Sequence, residues 1–314
     1  MLEGRLEIFI ITYNRASKLE NTLSTLSNSE LKNCKITILN NCSSDDTLEI
    51  CEKYLNIFSN MSIVTHAINI GSSPNLLRSF ELSKSDYTWI LCDDDFLILE
   101  HMDDIFQVIE DCKVDLIHVG AHPEPWLFGG TFDTPKNLMK KGYHYYKYSS
   151  FLPNNIFKTQ AFTKKNIINA YGNCVNAYPH MPFIQEVYTN SADIYISKNK
   201  ILTASIGTQN YDEYNWLIWW INTSKLLKNP LEIRVAFLDH FENKVNSNLI
   251  KYMLDVSISD DNHAFIINGF IKKNFLWNER LNYNLLKYTT LNFYIMKYKN
   301  ILNYMLLVVF RKIR

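Results

Sequence analysis

Short apolar runs, each ending in a polar cluster, recur along the first 120 residues. Leu6 to Thr12 (LEIFIIT) stops at Tyr13-Asn14-Arg15, and Lys35 to Leu39 (KITIL) stops at Asn40-Asn41-Cys42-Ser43-Ser44-Asp45-Asp46. Met61 to His66 follows, then Thr88 to Cys92 (TWILC), which runs straight into Asp93-Asp94-Asp95, and Val114 to Val119. Runs of this length without alternation are the pattern of strands buried on both faces. Between them, apolar residues return at helical spacing: Leu19, Leu23 and Leu26; then Leu48, Cys51 and Tyr54, capped by Ser44 or Asp45. A helix opened by Pro74 and another over Asp103 to Cys112 complete the series. Strand and helix alternate, which predicts an α/β fold with a mostly parallel sheet and right-handed crossovers.

In such sheets ligands bind beyond the carboxyl ends of the strands. Tyr13-Asn14, Asn40-Asn41 and Asp93 to Asp95 all follow predicted strand ends, so three motifs converge on one edge. From 120 to 160 the pattern weakens. Gly129-Gly130, several prolines and Tyr143-His144-Tyr145-Tyr146 read as loops or short antiparallel strands, and beyond Ser205 the chain reads as mostly helical.

Composition narrows the class. The 314 residues are 47% hydrophobic and 20% charged, enough for a large core. Lys+Arg and Asp+Glu both number 32, so no global charge argues for nucleic acid. Six cysteines without a Cys-x-x-Cys pair read as reduced, packed side chains of a cytoplasmic protein. The start, Met1 to Arg5, has no basic n-region, and no apolar stretch reaches the ~18 residues of a spanning helix.

Three adjacent carboxylates repel one another unless a cation compensates them. A hard divalent ion, Mn²⁺ or Mg²⁺, takes oxygen ligands and bridges a carboxylate to a diphosphate. The alternative is a solvated acidic turn, which the buried strand immediately before the triplet disfavours. Arg78, on the helix after Pro74, either meets a diphosphate oxygen or pairs with Glu81.

These motifs together resemble family 2 glycosyltransferases. Ile11-Thr12-Tyr13-Asn14-Arg15 is similar to that family's opening Pro-Thr-Tyr-Asn-Arg. Asn41-Cys42-Ser43-Ser44-Asp45-Asp46-Thr47 resembles its second motif, Asn69-Ile70-Gly71 with Asn75 and Arg78 its third, and Asp93-Asp94-Asp95 its Asp-x-Asp signature. The resemblance implies a GT-A fold: a Rossmann-like sheet holding a nucleotide-diphospho-sugar and a divalent metal. By position, Thr12, Tyr13 and Asn14 lie beside the nucleotide, and Asn41 faces the base edge. Arg78 approaches the diphosphate, Asp93 and Asp94 contact nucleoside and metal, and Asp95 is a metal ligand with Asp94. Ile11 stands where Pro is usual and Asn40 where Asp is common, so UDP is favoured only by family frequency.

Family members are usually inverting, with a base that deprotonates the acceptor hydroxyl. The matching stretch, Tyr178 to Glu186, lacks the usual Glu-Asp pair and offers His180 or Glu186 as base, with Asp212 and Glu213 as outside choices. The expected organisation is a catalytic domain over 1–205 (1–120 donor half, 121–205 acceptor half) and a helical region over 206–314. The last residues, 293–314, mix apolar and basic groups. They suit a helix on the cytoplasmic face of a membrane, or one packed on the catalytic domain or on a second copy in a homodimer. The expected function is sugar transfer to a glycan or lipid-linked acceptor in bacterial surface polysaccharide synthesis (capsule, O-antigen or lipooligosaccharide). The rival readings are a sugar nucleotidyltransferase, which needs a Gly-rich basic loop absent after Thr12, and a non-catalytic binding protein built on a degenerate transferase domain.

Overall fold

The computed structural model describes residues 4–120, 127–203, 213–242 and 244–287. The tail over 293–314 and Asp212 lie outside the described residues, as do the side chains of 213 and 214.

The first half follows the sequence pattern: β1 (Leu6–Thr12), α1 (Ala16–Ser27), β2 (Lys35–Asn40), α2 (Thr47–Leu55), β3 (Met61–Thr65), α3 (Ser72–Leu82) and β4 (Tyr87–Cys92). Then come β5 (Phe96–Leu97), α4 (Asp103–Asp111), β6 (Leu116–His118), β7 (Thr131–Asp133), α5 (Pro135–Lys140), α6 (Tyr145–Ser150) and β8 (Asn155–Lys158). The chain continues through α7 (Lys164–Gly172), α8 (Met181–Asn190), β9 (Ile194–Ile196) and β10 (Leu202–Thr203). The helices α9 (Glu213–Ser224), α10 (Pro230–His240), α11 (Ser247–Ser259), α12 (Asp261–Asn274) and α13 (277–287) follow.

Eight strands form one sheet in the order β3-β2-β1-β4-β8-β6-β9-β7. The β3-β2-β1-β4 block is parallel, with Thr12 beside Asn40 and Ile11 beside Cys92. β8 is antiparallel to both β4 and β6, so β6 runs in the same direction as β1 and β4. The carboxyl ends of β1, β2, β3, β4 and β6 therefore share one edge.

Side chains alternate across the pleat. Ile8, Ile10, Ile36, Ile38, Trp89 and Leu91 enter one core with Leu19, Leu23, Leu26, Ile105 and Ile109. Phe9, Leu39 and Ile90 enter the other, with Leu77 and Phe80 of α3, Phe183 of α8, and Trp220, Phe237 and Phe270 of the later helices. Helices thus cover both faces, and α9, α10 and α12 extend the second core. All six cysteines are free thiols. Among the described residues, no helix is long and apolar enough to cross a membrane.

One segment departs from expectation. Tyr143 to Tyr146 lead into the helix α6 instead of a loop or strand, with Tyr143, Tyr145 and Tyr146 buried. Asp239, fully buried on α10, accepts from Tyr146 N at 2.6 Å and from His144 Nδ1 at 3.3 Å, capping that helix start from far along the chain.

Candidate active site

The edge is built by four loops, each following a strand. After β1, Asn14 takes a left-handed conformation (φ 52°), which Asn tolerates better than most residues. Two contacts to the loop after β2 hold it: Asn14 N donates to Ser43 Oγ at 2.9 Å, and Ser44 N donates to Asn14 Oδ1 at 2.8 Å. Asp45 accepts from Ala16 N at 3.2 Å and from Thr47 N at 3.1 Å, so one carboxylate fastens the starts of α1 and α2. Burial raises the Asp45 carboxyl, but the Thr47 hydroxyl and these amides together outweigh it and hold it below its ordinary range. Tyr13 stands beyond this join, 43% exposed, with its ring available for stacking.

The acidic triplet follows β4. Asp93 is buried and accepts from Thr12 Oγ1 at 2.7 Å and from Arg15 at 3.1 Å. Its backbone carbonyl accepts from Thr22 Oγ1 at 3.1 Å. Burial pushes the Asp93 carboxyl up, and Thr12 and Arg15 oppose that shift. Asp94 accepts from Arg15 at 2.8 Å and from Lys18 at 3.2 Å. Asp95 is buried behind them. The repulsion expected of the triplet is thus relieved by two basic residues at the start of α1. Lys18 and Thr22 were not singled out from sequence. Their only signal is spacing, since Arg15, Lys18 and Thr22 fall on one helix face.

Asn41 is tied into the neighbouring loop. It is 2% exposed, donates through Nδ2 to Asn69 Oδ1 at 2.8 Å, and accepts from Ile70 N at 2.9 Å. Its amide shapes the loop between β3 and α3. Asn40 does similar work, accepting from Ser43 N at 3.0 Å. Arg78 takes the second of its two expected partners, pairing with Glu81, which also accepts from Tyr171 OH of α7.

Of the two base candidates, His180 caps the start of α8 and Glu186 lies on it. Ser149 Oγ contacts His118 Nε2 at 3.0 Å, and Ser149 O accepts from His180 Nε2 at 2.9 Å. His118 ends β6, two strand spacings or about 10 Å across the sheet from β4. The start of α8 is therefore anchored at the same edge as the triplet. A carbonyl only accepts, so Nε2 carries the proton and Nδ1 is an acceptor, buried and without a hydrogen-bond partner. Burial lowers the His180 pKa to about 4, partly opposed by the Ser149 carbonyl. Glu186 lies six residues further along the helix, about 9 Å from His180 along its axis. It is half-buried and accepts from Asn190 at 3.2 Å.

Among the described residues no group of three or more His, Cys, Asp or Glu side chains is arranged to hold a metal ion. A metal held here would draw part of its oxygen set from a bound ligand. The donor chemistry suits a Mg²⁺ or Mn²⁺ site of that kind, since such ions are commonly held by one or two carboxylates plus substrate phosphates. Asp94 and Asp95 are the carboxylates at hand.

The profile of the family described as Glycosyl transferase family 2 matches residues 7–172, more than half of the chain. The chain belongs to glycosyl transferase family 2. Over 111 residues this family 2 chain is 34% identical to the abequosyltransferase RfbV of Salmonella typhimurium strain LT2. That stretch is 34% of this chain and spans only 33% of the relative. The fold of the family 2 chain is like that of S. aureus TarS 1–349, with a TM-score of 0.61 at 15% identity, covering 92% of this chain and 91% of the other. The same protein in complex with UDP-GlcNAc gives 0.60 at 15% identity over 92% of each chain. The mannosyltransferase PcManGT from Pyrobaculum calidifontis, in complex with GDP-Man and Mn²⁺, gives 0.54 at 10% identity over 89% and 83%. The fold is GT-A, shared with these neighbours.

Proposed function

We propose that the chain moves a sugar from a nucleotide-diphospho-sugar, with UDP favoured, to a glycan or lipid-linked acceptor in bacterial surface polysaccharide synthesis. The observation that carries this reading is the junction of β1, α1 and β4, where Thr12, Arg15 and Lys18 meet Asp93 and Asp94. That junction offers cations to a diphosphate and carboxylates to a metal within one loop cluster. The likeness to a protein that binds UDP-GlcNAc and the relation to an abequosyltransferase favour donor and pathway class.

In this reading Tyr13 stacks on the base, and Thr12 and Asn14 fix the loop beneath it. Asp93 receives the nucleoside. Arg15 and Lys18 would turn from the carboxylates to the diphosphate when donor binds, and Asp94 and Asp95 are the residues that would hold Mn²⁺ or Mg²⁺. When bound, such an ion would supply charge stabilisation to the departing diphosphate. The reaction is inverting, and the base comes from α8. Position favours His180 over Glu186, because the α8 start is anchored at the sheet edge.

The test is transfer or donor hydrolysis across UDP-, GDP-, CDP- and dTDP-sugars with Mn²⁺, Mg²⁺ or chelator. Turnover with a UDP-sugar that vanishes with chelator and in Asp95→Ala is expected. Turnover unchanged in Asp95→Ala refutes the metal role. No turnover, together with no melting shift by any nucleoside diphosphate in the presence of metal, refutes the enzyme reading.

A further inference from the structure

Helices α12 and α13 enclose a cavity of about 440 Å³ outside the strand-edge loops, and its walls carry donors and cations without a carboxylate. Lys272 is exposed, and Arg280 reaches its backbone carbonyl at 3.1 Å through NH1. Arg280 Nε is buried and has no hydrogen-bond partner. The adjacent acid, Glu279, is not available to it: its carboxylate is gripped by Arg234, with Nε at 3.1 Å, and accepts from Leu276 N at 2.8 Å. Asn268 Oδ1 accepts from Tyr283 OH at 3.3 Å and from Lys287 Nζ at 3.1 Å, so the acceptor on that wall is already engaged and the amide N–H₂ remains a donor. Among the described residues neither Lys272 nor Arg280 makes an ion pair. The cavity thus presents positive charge and N–H groups, which calls for an anion with several acceptor oxygens.

The surround of the cavity is apolar and exposed. Phe265 is 82% exposed and Trp277 71%, and Leu281 adds a partly exposed aliphatic group. On α12, Phe265, Asn268 and Lys272 recur at i, i+3 and i+7, and on α13 Trp277, Leu281 and Asn284 recur at i, i+4 and i+7. Each helix therefore shows one face that mixes large apolar groups with donors. Exposed Trp and Phe beside Lys and Arg are the side chains that settle at a bilayer interface, with rings among the acyl boundary and cations at the headgroups.

We propose that this cavity seats the phosphate of an anionic phospholipid headgroup. Arg280 and Lys272 take the phosphate oxygens while Phe265, Trp277 and Leu281 enter the interface. The site would bring the chain to the surface on which a lipid-linked acceptor lies. Only that purpose rests on the proposed function. Vesicle binding is measured without donor or acceptor, so either reading can fail alone.

The experiment is co-sedimentation of the full chain, residues 293–314 included, with vesicles of phosphatidylcholine alone or with a third of phosphatidylglycerol. Binding to the phosphatidylglycerol vesicles and little to phosphatidylcholine is expected. Lys272→Gln with Arg280→Gln weakens it about thirtyfold, the change expected when two basic residues near the surface are lost. Lys272→Gln alone, at an exposed side chain that leaves folding intact, weakens it about fivefold. Absence of vesicle binding overturns the proposal, as does equal binding to neutral vesicles or wild-type binding by both variants. Binding of soluble glycerol phosphate that these variants abolish, without vesicle binding, assigns the cavity to a soluble phosphate and overturns the membrane assignment.

Discussion

Thr12 Oγ1 donates to Asp93 Oδ2 at 2.7 Å, joining the ends of neighbouring parallel strands across 81 positions of sequence. The hydroxyl faces a carboxylate that burial pushes toward its protonated form. Thr12→Val keeps the shape and removes that donor. It should cost about 1.5–3 kcal/mol at neutral pH, the range for a hydrogen bond to a charged group. A raised native pKa means that the folded chain binds the proton more readily than the unfolded one, so Asp93 weakens the fold as pH rises through that pKa. The Thr12→Val penalty should therefore shrink as pH falls through that raised pKa and Asp93 takes up its proton. Urea unfolding at pH 7 and pH 4 checks both parts, and equal penalties would sink the account.

Asn41→Asp places a carboxylate against Asn69 Oδ1. Asn69 cannot turn its amide without losing the bond from Gly71 N at 2.9 Å. Two acceptors then face each other in a buried site. A loss of about 1–3 kcal/mol is expected at pH 7, with donor affinity falling through the loop rather than through base recognition. If Asn41→Asp instead raises affinity for UDP at unchanged stability, Asn41 does face the base.

The strands β1, β2 and β4 were legible because most of their buried residues are apolar, Glu7, Thr37 and Thr88 being exceptions, and each run ends in a polar cluster. The antiparallel β8 was not. It is four residues long, and its register depends on Asn154 and Asn155, whose side chains bind Gly120 N, Tyr148 O, Ser149 O, Phe151 O and Leu152 O. The start of α6 was misread because its cap, Asp239, lies 93 positions downstream of Tyr146. The triplet's counter-ions were missed for the same reason, since Arg15 and Asp94 are 79 positions apart. Local pattern reveals which residues reach the edge. The partners they take there depend on loop geometry that spacing does not encode.

Two buried histidines should set the acid limit of the fold. Burial lowers His180 to about 4 and His240 to about 3. Their native pKa values lie below the unfolded value near 6.5, so between about pH 6.5 and 4 the unfolded chain binds more protons. Stability is complete above pH 6.5 and falls as pH drops, by about 1.4 kcal/mol per unit for each histidine. Replacing both by Phe should flatten the melting temperature between pH 6.5 and 5, whatever it does to the absolute value. An unchanged slope would mean that carboxylates carry the acid loss.

Arg78 and Glu81 separate a structural role from a donor role. Glu81 joins Arg78 of α3 to Tyr171 of α7. If the clip only fastens these helices, Arg78→Ala and Glu81→Gln lower stability alike, by about 0.5–1 kcal/mol for half-exposed pairs, and leave KM for the donor unchanged. If Arg78 leaves Glu81 to meet the diphosphate, Arg78→Ala raises donor KM about tenfold or more. Glu81→Gln then leaves KM unchanged or lowers it, because the guanidinium has no competing carboxylate. The expected outcome is the second. Tyr171→Phe is the control: it loosens the same clip without touching the cation, so a KM rise in that variant as large as in Arg78→Ala would return Arg78 to a purely structural role.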